Sequence, residues 1–139
     1  MLDLPDREGN YLESSASGMF VYFLFTAVRN GYLDESYLPA AEKGYLGILD
    51  TFIEENEDGT ITLTSTCCGA GLGGDPYRDG SFEYYINEEI CENDPKGTGP
   101  FIWASMEYER YKGIHPDLSK RQRAFPGAKG FGAFALGGR

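Results

Sequence analysis

Met19-Phe20-Val21-Tyr22-Phe23-Leu24-Phe25-Thr26-Ala27-Val28 is apolar at nearly every position. Met19, Phe20, Phe23, Leu24, Ala27 and Val28 recur at i, i+3 and i+4, the period of one helical face. Val21, Tyr22 and Phe25 make the other face apolar too, so the spacing predicts a helix buried on all sides. Ser14, Ser15 and Ser17 offer N-capping hydroxyls before it, and Asn30-Gly31 supplies residues that tolerate the left-handed turn at a helix end.

The following segment has a different pattern. From Ser36 to Glu55, Leu38, Ala41, Tyr45, Ile48, Leu49 and Phe52 form one apolar stripe, with Glu42, Lys43, Asp50 and Glu54 opposite. This predicts an outer helix wet on one side, with Pro39 tolerated near its first turn. Glu57-Asp58-Gly59 predicts a turn, and Thr60-Ile61-Thr62-Leu63-Thr64 alternates like a short strand. A glycine-rich loop covers 67–80, and 81–90 is expected to pair back as a second strand. Residues 93–99 are expected to form a loop, with Pro100 opening a third helix that runs to about Lys112. Residues 113–124, which include His115, have little to bury and predict a linker.

Two helices apolar on more than one face need neighbours that this chain does not supply. Each large side chain left in water forfeits about 1.5–3 kcal/mol, against a net stability of roughly 5–15 kcal/mol for a domain. The expectation is a fragment of a larger helical fold. Trp103, inside the third helix, is expected to be core.

Net charge is -10, unevenly distributed. Residues 1–110 carry 6 basic and 21 acidic side chains, whereas 111–139 carry 6 and 1, a change of sign that marks a candidate boundary. An acidic body without a basic stripe argues against a nucleic-acid partner. No apolar run reaches the roughly 18–20 residues of a membrane span, and the first residues lack a signal-peptide pattern, so an export signal would lie upstream. Cys67, Cys68 and Cys91 are an odd set with a vicinal pair, expected to be ordinary buried thiols.

Four stretches carry a resemblance. They are 10–20 (Asn-Tyr-Leu-Glu-Ser-Ser-Ala-Ser-Gly-Met-Phe), Gly71-Leu72-Gly73-Gly74, 78–85 (Arg-Asp-Gly-Ser-Phe-Glu-Tyr-Tyr) and 93–101 (Asn-Asp-Pro-Lys-Gly-Thr-Gly-Pro-Phe). In this order and spacing they resemble the C-terminal portion of glycoside hydrolase family 105, the unsaturated rhamnogalacturonyl hydrolases related to family 88. The resemblance implies a mainly α chain: the last helices of an (α/α)6 barrel plus a short β-hairpin, with an irregular C-terminal tail. Residues 1–112 would be that barrel portion, 113–124 a linker, and 125–139 something else. That last stretch, Phe125 to Arg139, resembles the opening of a polysaccharide lyase family 1 (pectate lyase) domain, with Lys129 where an acidic residue is more usual. Lyases leave the unsaturated sugar end that family 105 enzymes remove, so the two chemistries are consecutive.

The implied chemistry is hydration of a vinyl ether, in which an aspartic acid protonates C4 of an unsaturated uronyl ring and water adds at C5. No residue here matches the family's catalytic aspartate, so the chain alone is expected to be inactive. The partners implied are a pectin-derived oligosaccharide and the remainder of the parent polypeptide, with no cofactor and no metal.

The resemblance implies a pocket where inner helices present their N-termini, whose free N–H groups and partial positive charge suit a carboxylate. Two such ends are expected, at Glu13-Ser14-Ser15 and at Lys96-Gly97-Thr98-Gly99. Lys96 could pair with a uronic carboxylate, while Gly97 and Gly99 would let backbone approach sugar. The bland alternative is that Glu13 and the serines cap a helix and Lys96 is solvated. Arg78 and Asp79, with Tyr84 and Tyr85, could line a sugar site or form an internal salt bridge with packed tyrosines. Asn56 to Thr60 lacks the ligand spacing of a calcium loop and reads as an acidic turn. The competing functional class is a non-catalytic carbohydrate-binding or interaction module. It should close its own core and present sugar-stacking aromatics, whereas the aromatics here sit at helix-core spacing. A lyase partner suggests a periplasmic or secreted parent protein, with a cytoplasmic one as the alternative.

Overall fold

The computed structural model describes residues 7–114. In chain order these form α1 (Ser14–Arg29), a 3-10 turn (Glu35–Tyr37), α2 (Leu38–Phe52), β1 (Ile53–Glu55), β2 (Ile61–Leu63), β3 (Thr66–Cys67), α3 (Phe82–Ile86), β4 (Ile90–Cys91) and α4 (Pro95–Tyr111). Among the described residues the fold is mainly helical, as expected, with two small antiparallel ladders instead of one hairpin.

The apolar run does form a helix, but Glu13, not a serine, caps it. The Glu13 Oε2 accepts the Ala16 N–H at 2.7 Å, and Ser14 is already helical. At the other end, Gly31 takes a positive φ of 74° and its N–H reaches Val28 O at 2.9 Å. The single helix expected over 36–55 is broken at both ends. Asp34 caps the 3-10 turn before α2 by accepting the Ser36 N–H at 2.9 Å. After Phe52 the chain extends, because Ile53, Glu54 and Glu55 pair with Leu63, Thr62 and Ile61.

That pairing corrects the expected hairpin. The strand at 60–64 finds its partner in β1, not in 81–90. Residues 81–90 instead begin as α3, where Ser81 Oγ accepts the Tyr84 N–H at 3.0 Å. They end in β4, which pairs with β3 in the register Thr66↔Cys91 and Cys67↔Ile90. The third helix starts at Pro95 rather than Pro100, because Asp94 accepts the Lys96 N–H at 2.8 Å and Pro95 occupies the first turn.

The core lies where α1, α2 and α4 meet. Val21, Phe25, Ala41, Tyr45, Ile48, Phe52, Leu63 and Ala104 form one buried cluster. Tyr45 is central to it. Its ring stacks on Tyr108 at 4.2 Å and lies 6.4 Å from Phe101, and its hydroxyl donates to Ser105 Oγ at 3.0 Å. Helices α1 and α4 approach closely at Gly18, where an added Cβ would stand 3.1 Å from Pro100 Cβ and 3.2 Å from Phe101 N. At their other ends Glu107 accepts from Arg29 Nε at 2.9 Å and from Arg110 Nη1 at 2.6 Å, a buried carboxylate between two guanidinium groups.

The core closes on one side only. Phe20 is 69% exposed, Phe23 56% and Trp103 55%, with Met19, Ile102 and Met106 also open to solvent. The all-round burial expected for α1 and the core position expected for Trp103 are therefore not met within these residues. Trp103 touches Tyr22, with ring centroids 5.6 Å apart, and its remaining surface has no cover.

The cysteines also depart from expectation. Cys68 and Cys91 form a disulfide with Cα atoms 5.3 Å apart, because the β3–β4 register brings the residues beside it together. Cys67 remains a half-buried free thiol.

Candidate functional site

The starts of α1 and α4 are brought together by one fully buried residue, Thr66. Its Oγ1 lies 2.8 Å from Ser14 Oγ at the first residue of α1, and the preceding Ser65 carbonyl accepts the Ser14 N–H at 3.0 Å. On the α4 side Gly97 is pressed against the same side chain: a Cβ there would collide with Thr66 Oγ1 and lie 3.1 Å from Leu63 Cδ2. Asn93 completes the junction, its side chain accepting the Leu63 N–H at 2.9 Å. Thr66 carries no local motif, and only the fold reveals it.

Glu13 and Ser14 are thus engaged inside the protein. The Glu13 carboxylate accepts from Ser15 Oγ at 2.8 Å, the Cys67 N–H at 3.1 Å and the Ala16 N–H at 2.7 Å, so capping occupies both oxygens. At α4 the N–H groups of Lys96, Gly97 and Thr98 all turn back to Asp94. These donors serve their own caps. Lys96 faces solvent at this end, its ammonium 2.8 Å from the Asp94 carboxylate, and half-buried Gly99 has open space where a side chain would stand.

The hydrogen bonds from Lys96 hold the Asp94 carboxyl below its usual range. A depressed carboxyl contributes stability above the ordinary value of 3.8 and loses it as pH falls through the lowered folded value. We therefore expect the first turn of α4 to fray in acid. Amide signals of Lys96 and Gly97, followed by NMR, should shift as pH falls below 3.8 in the wild type. In Asp94→Asn, which still caps, that step should be missing. A flat wild-type trace would remove the charge from this account.

Arg78 does not pair with Asp79. Its Nε donates to Gly73 O at 3.0 Å, its backbone bridges Gly73, and its guanidinium fills the space a Cβ on Gly71 would need. Asp79 instead accepts the Ser81 N–H at 2.8 Å, which holds its carboxyl low. Tyr84 Oη accepts the Gly71 N–H at 3.0 Å, and a hydrogen bond with Glu88 pushes its phenol up. Tyr85 stacks on Tyr11 at 5.2 Å and 7°, a packing role. Burial pushes the Tyr11 phenol up, and neighbouring Tyr85 and Cys67 add to the rise. The large apolar residues that the loop presents outward are Leu72 and Tyr77, 72% and 75% exposed, and Tyr77 had no sequence signal. The turn at Asn56 to Thr60 closes on itself, with Asp58 accepting the Thr60 N–H at 3.0 Å.

Residues 1–112 match the family model of Glycosyl Hydrolase Family 88. The chain belongs to glycosyl hydrolase family 88. A glycoside hydrolase of family 105 from C. acetobutylicum has 54% identity and a TM-score of 0.76, over 79% of this chain and 31% of that one. A possible family 105 member from Klebsiella pneumoniae gives 28% and 0.61, over 77% and 25%. The 24.9 kDa protein in the picA locus of Rhizobium radiobacter is 40% identical over 113 residues, 77% of this chain and 48% of that protein. This family 88 chain therefore spans about half the length of that relative and less than a third of the solved structures. Its helices align with part of the family 105 structures, and its uncovered faces are in keeping with that partial match. The match ends at residue 112 and gives no support to a pectate lyase domain at 125–139, which lies outside the described residues, as does the linker from His115 onward.

Proposed function

We propose that this chain is the closing part of an unsaturated rhamnogalacturonyl hydrolase, which removes unsaturated galacturonyl residues from rhamnogalacturonan oligosaccharides. The observation that supports this most is the 54% identity to a family 105 glycoside hydrolase, at a TM-score of 0.76. In that chemistry a carboxylic acid protonates C4 of the unsaturated ring, water adds at C5, and the resulting hemiketal opens to release the neighbouring sugar. The proton donor lies outside this chain, which contributes helix starts and the glycine-rich loop. Lys96 is the contact we assign to the uronic carboxylate. It is the exposed cation at the α4 terminus, and a substrate carboxylate would take the place that Asp94 now holds. Gly99 leaves the sugar room beside it. A periplasmic or secreted setting for the parent protein, and a domain boundary near residue 112, belong to the same proposal. The disulfide suits an oxidising compartment.

The test joins this chain to the preceding part of the C. acetobutylicum family 105 enzyme. Turnover is followed by the loss of ultraviolet absorbance of an unsaturated galacturonyl-rhamnose disaccharide. The joined protein should turn over and the chain alone should not. Lys96→Ala in the joined protein should raise KM about tenfold with kcat little changed, the worth of one charge-assisted contact. A folded but inactive fusion would sink the proposal. Turnover by the chain alone would place the proton donor within it.

A further inference from the structure

Residues 69–90 leave and rejoin the fold at a single place, the β3–β4 ladder, which has two residues on each side. A ladder that short is marginal by itself. A covalent bond reinforces it, joining Cys91 of β4 to Cys68, the residue after β3. On one side of that bond, Thr66 and the Cys67 N–H hold the start of α1. On the other, Asp94 caps the start of α4. Other ties from the 69–90 segment to the described body are non-covalent, among them the Cys68 N–H donating to Glu89 O at 2.8 Å, the Tyr11–Tyr85 stack and the contacts of Arg7 with Glu83 and Phe82. Arg78, Asp79, Tyr77 and Tyr84 all ride on this segment. The hydrophobic core contains no residue from it.

Both cysteines are half-buried, neither being sealed in the core. Cys67 lies against Tyr11 and Tyr85, and alternation along an extended chain turns it away from Cys68.

We propose that the Cys68–Cys91 bond is a redox-sensitive clamp. It holds the 69–90 loop against the starts of α1 and α4, and a thiol reductant releases the loop while the three-helix core stays in place. Two thiol molecules supply two electrons and two protons. The S–S bond breaks, each cysteine sulfur gains a hydrogen, and the reductant leaves as its own disulfide. That the freed loop is the sugar-facing one rests on the hydrolase reading above, whereas the clamp itself does not.

Hydrogen–deuterium exchange on the full 139-residue chain tests this without any sugar. The arms are the oxidised protein, the protein in excess dithiothreitol, Cys68→Ser/Cys91→Ser, and Cys67→Ser. Reduction and the double variant should each speed exchange across 66–91 by about tenfold or more, with α1, α2 and the body of α4 changing by less than about twofold. Cys67→Ser should behave like the wild type before and after reduction. Three results would overturn the clamp: a loop equally protected in both redox states, helices losing protection in step with the loop, or an oxidised chain unprotected throughout. Binding of the unsaturated disaccharide to the joined hydrolase, oxidised and reduced, is scored separately. Loss of that binding in both states would count against the hydrolase reading and leave the exchange result standing.

Discussion

Tyr45→Ala is expected to destabilise the chain by about 3–5 kcal/mol, the range for truncating a large buried aromatic side chain. Tyr45 is 7% exposed, and three helices meet on its ring. Alanine there removes the stack on Tyr108, the face toward Phe101 and the filling between α2 and α4 together. Tyr45→Phe separates the ring from its hydroxyl. Only the bond to Ser105 Oγ is lost, and that oxygen keeps its own donation to Phe101 O at 2.8 Å, so phenylalanine should cost about 1 kcal/mol. Urea unfolding of the two variants beside wild type measures both values. Equal losses would show that the hydroxyl, not the packing, carries the site.

Gly97→Ala has the opposite sign from the usual expectation for a helix. Inside a helix alanine outranks glycine by about 1 kcal/mol. Here the methyl group meets Thr66, which is fully buried and bonded to Ser14, so neither partner can retreat without opening the α1 junction. Overpacking of this kind costs about 1–3 kcal/mol, and loss of the Ser14–Thr66 bond adds about 1 kcal/mol. We expect a net destabilisation of roughly 1–3 kcal/mol. Gly99→Ala, two residues on with open space beside it, should be neutral or slightly stabilising. Thr66→Ala should rescue part of the Gly97→Ala loss. If both glycine variants melt alike, the contact between α4 and Thr66 does not matter energetically.

These two sites show what the sequence made legible. Tyr45 was visible, because Ala41, Tyr45, Ile48 and Phe52 recur at helical spacing and all four are buried. Leu49, placed on the same stripe, is 39% exposed because it lies at the edge of that face. The helix start expected at Pro100 lies five residues earlier, at Pro95. Gly97 and Gly99 suggest loop and Pro100 suggests a first helical position, but the Asp94-Pro95 cap outweighs them. Thr66 was invisible, since nothing local distinguishes it from the other threonines between 60 and 66. The disulfide was hidden by an odd cysteine count and a partner 23 residues away. At the candidate site, the sequence located the two helix starts but not that their named N–H groups are already taken. That depends on side chains folding back over a few ångströms, which pattern alone does not encode.

The open face of α1 and α4 has a consequence for how the molecule behaves in a tube. A window of Met19, Phe20, Phe23, Ile102, Trp103 and Met106 is set in a chain whose net charge is -10. Like charge keeps such molecules apart only over the Debye length, about 10 Å at 0.1 M salt and about 3 Å at 1 M. Below the lower concentration, mutual repulsion holds the windows out of contact; near the higher one, that barrier is gone and the apolar faces can meet. We expect self-association to rise with ionic strength, so that a dispersed solution in dilute buffer is no guide to behaviour in concentrated salt.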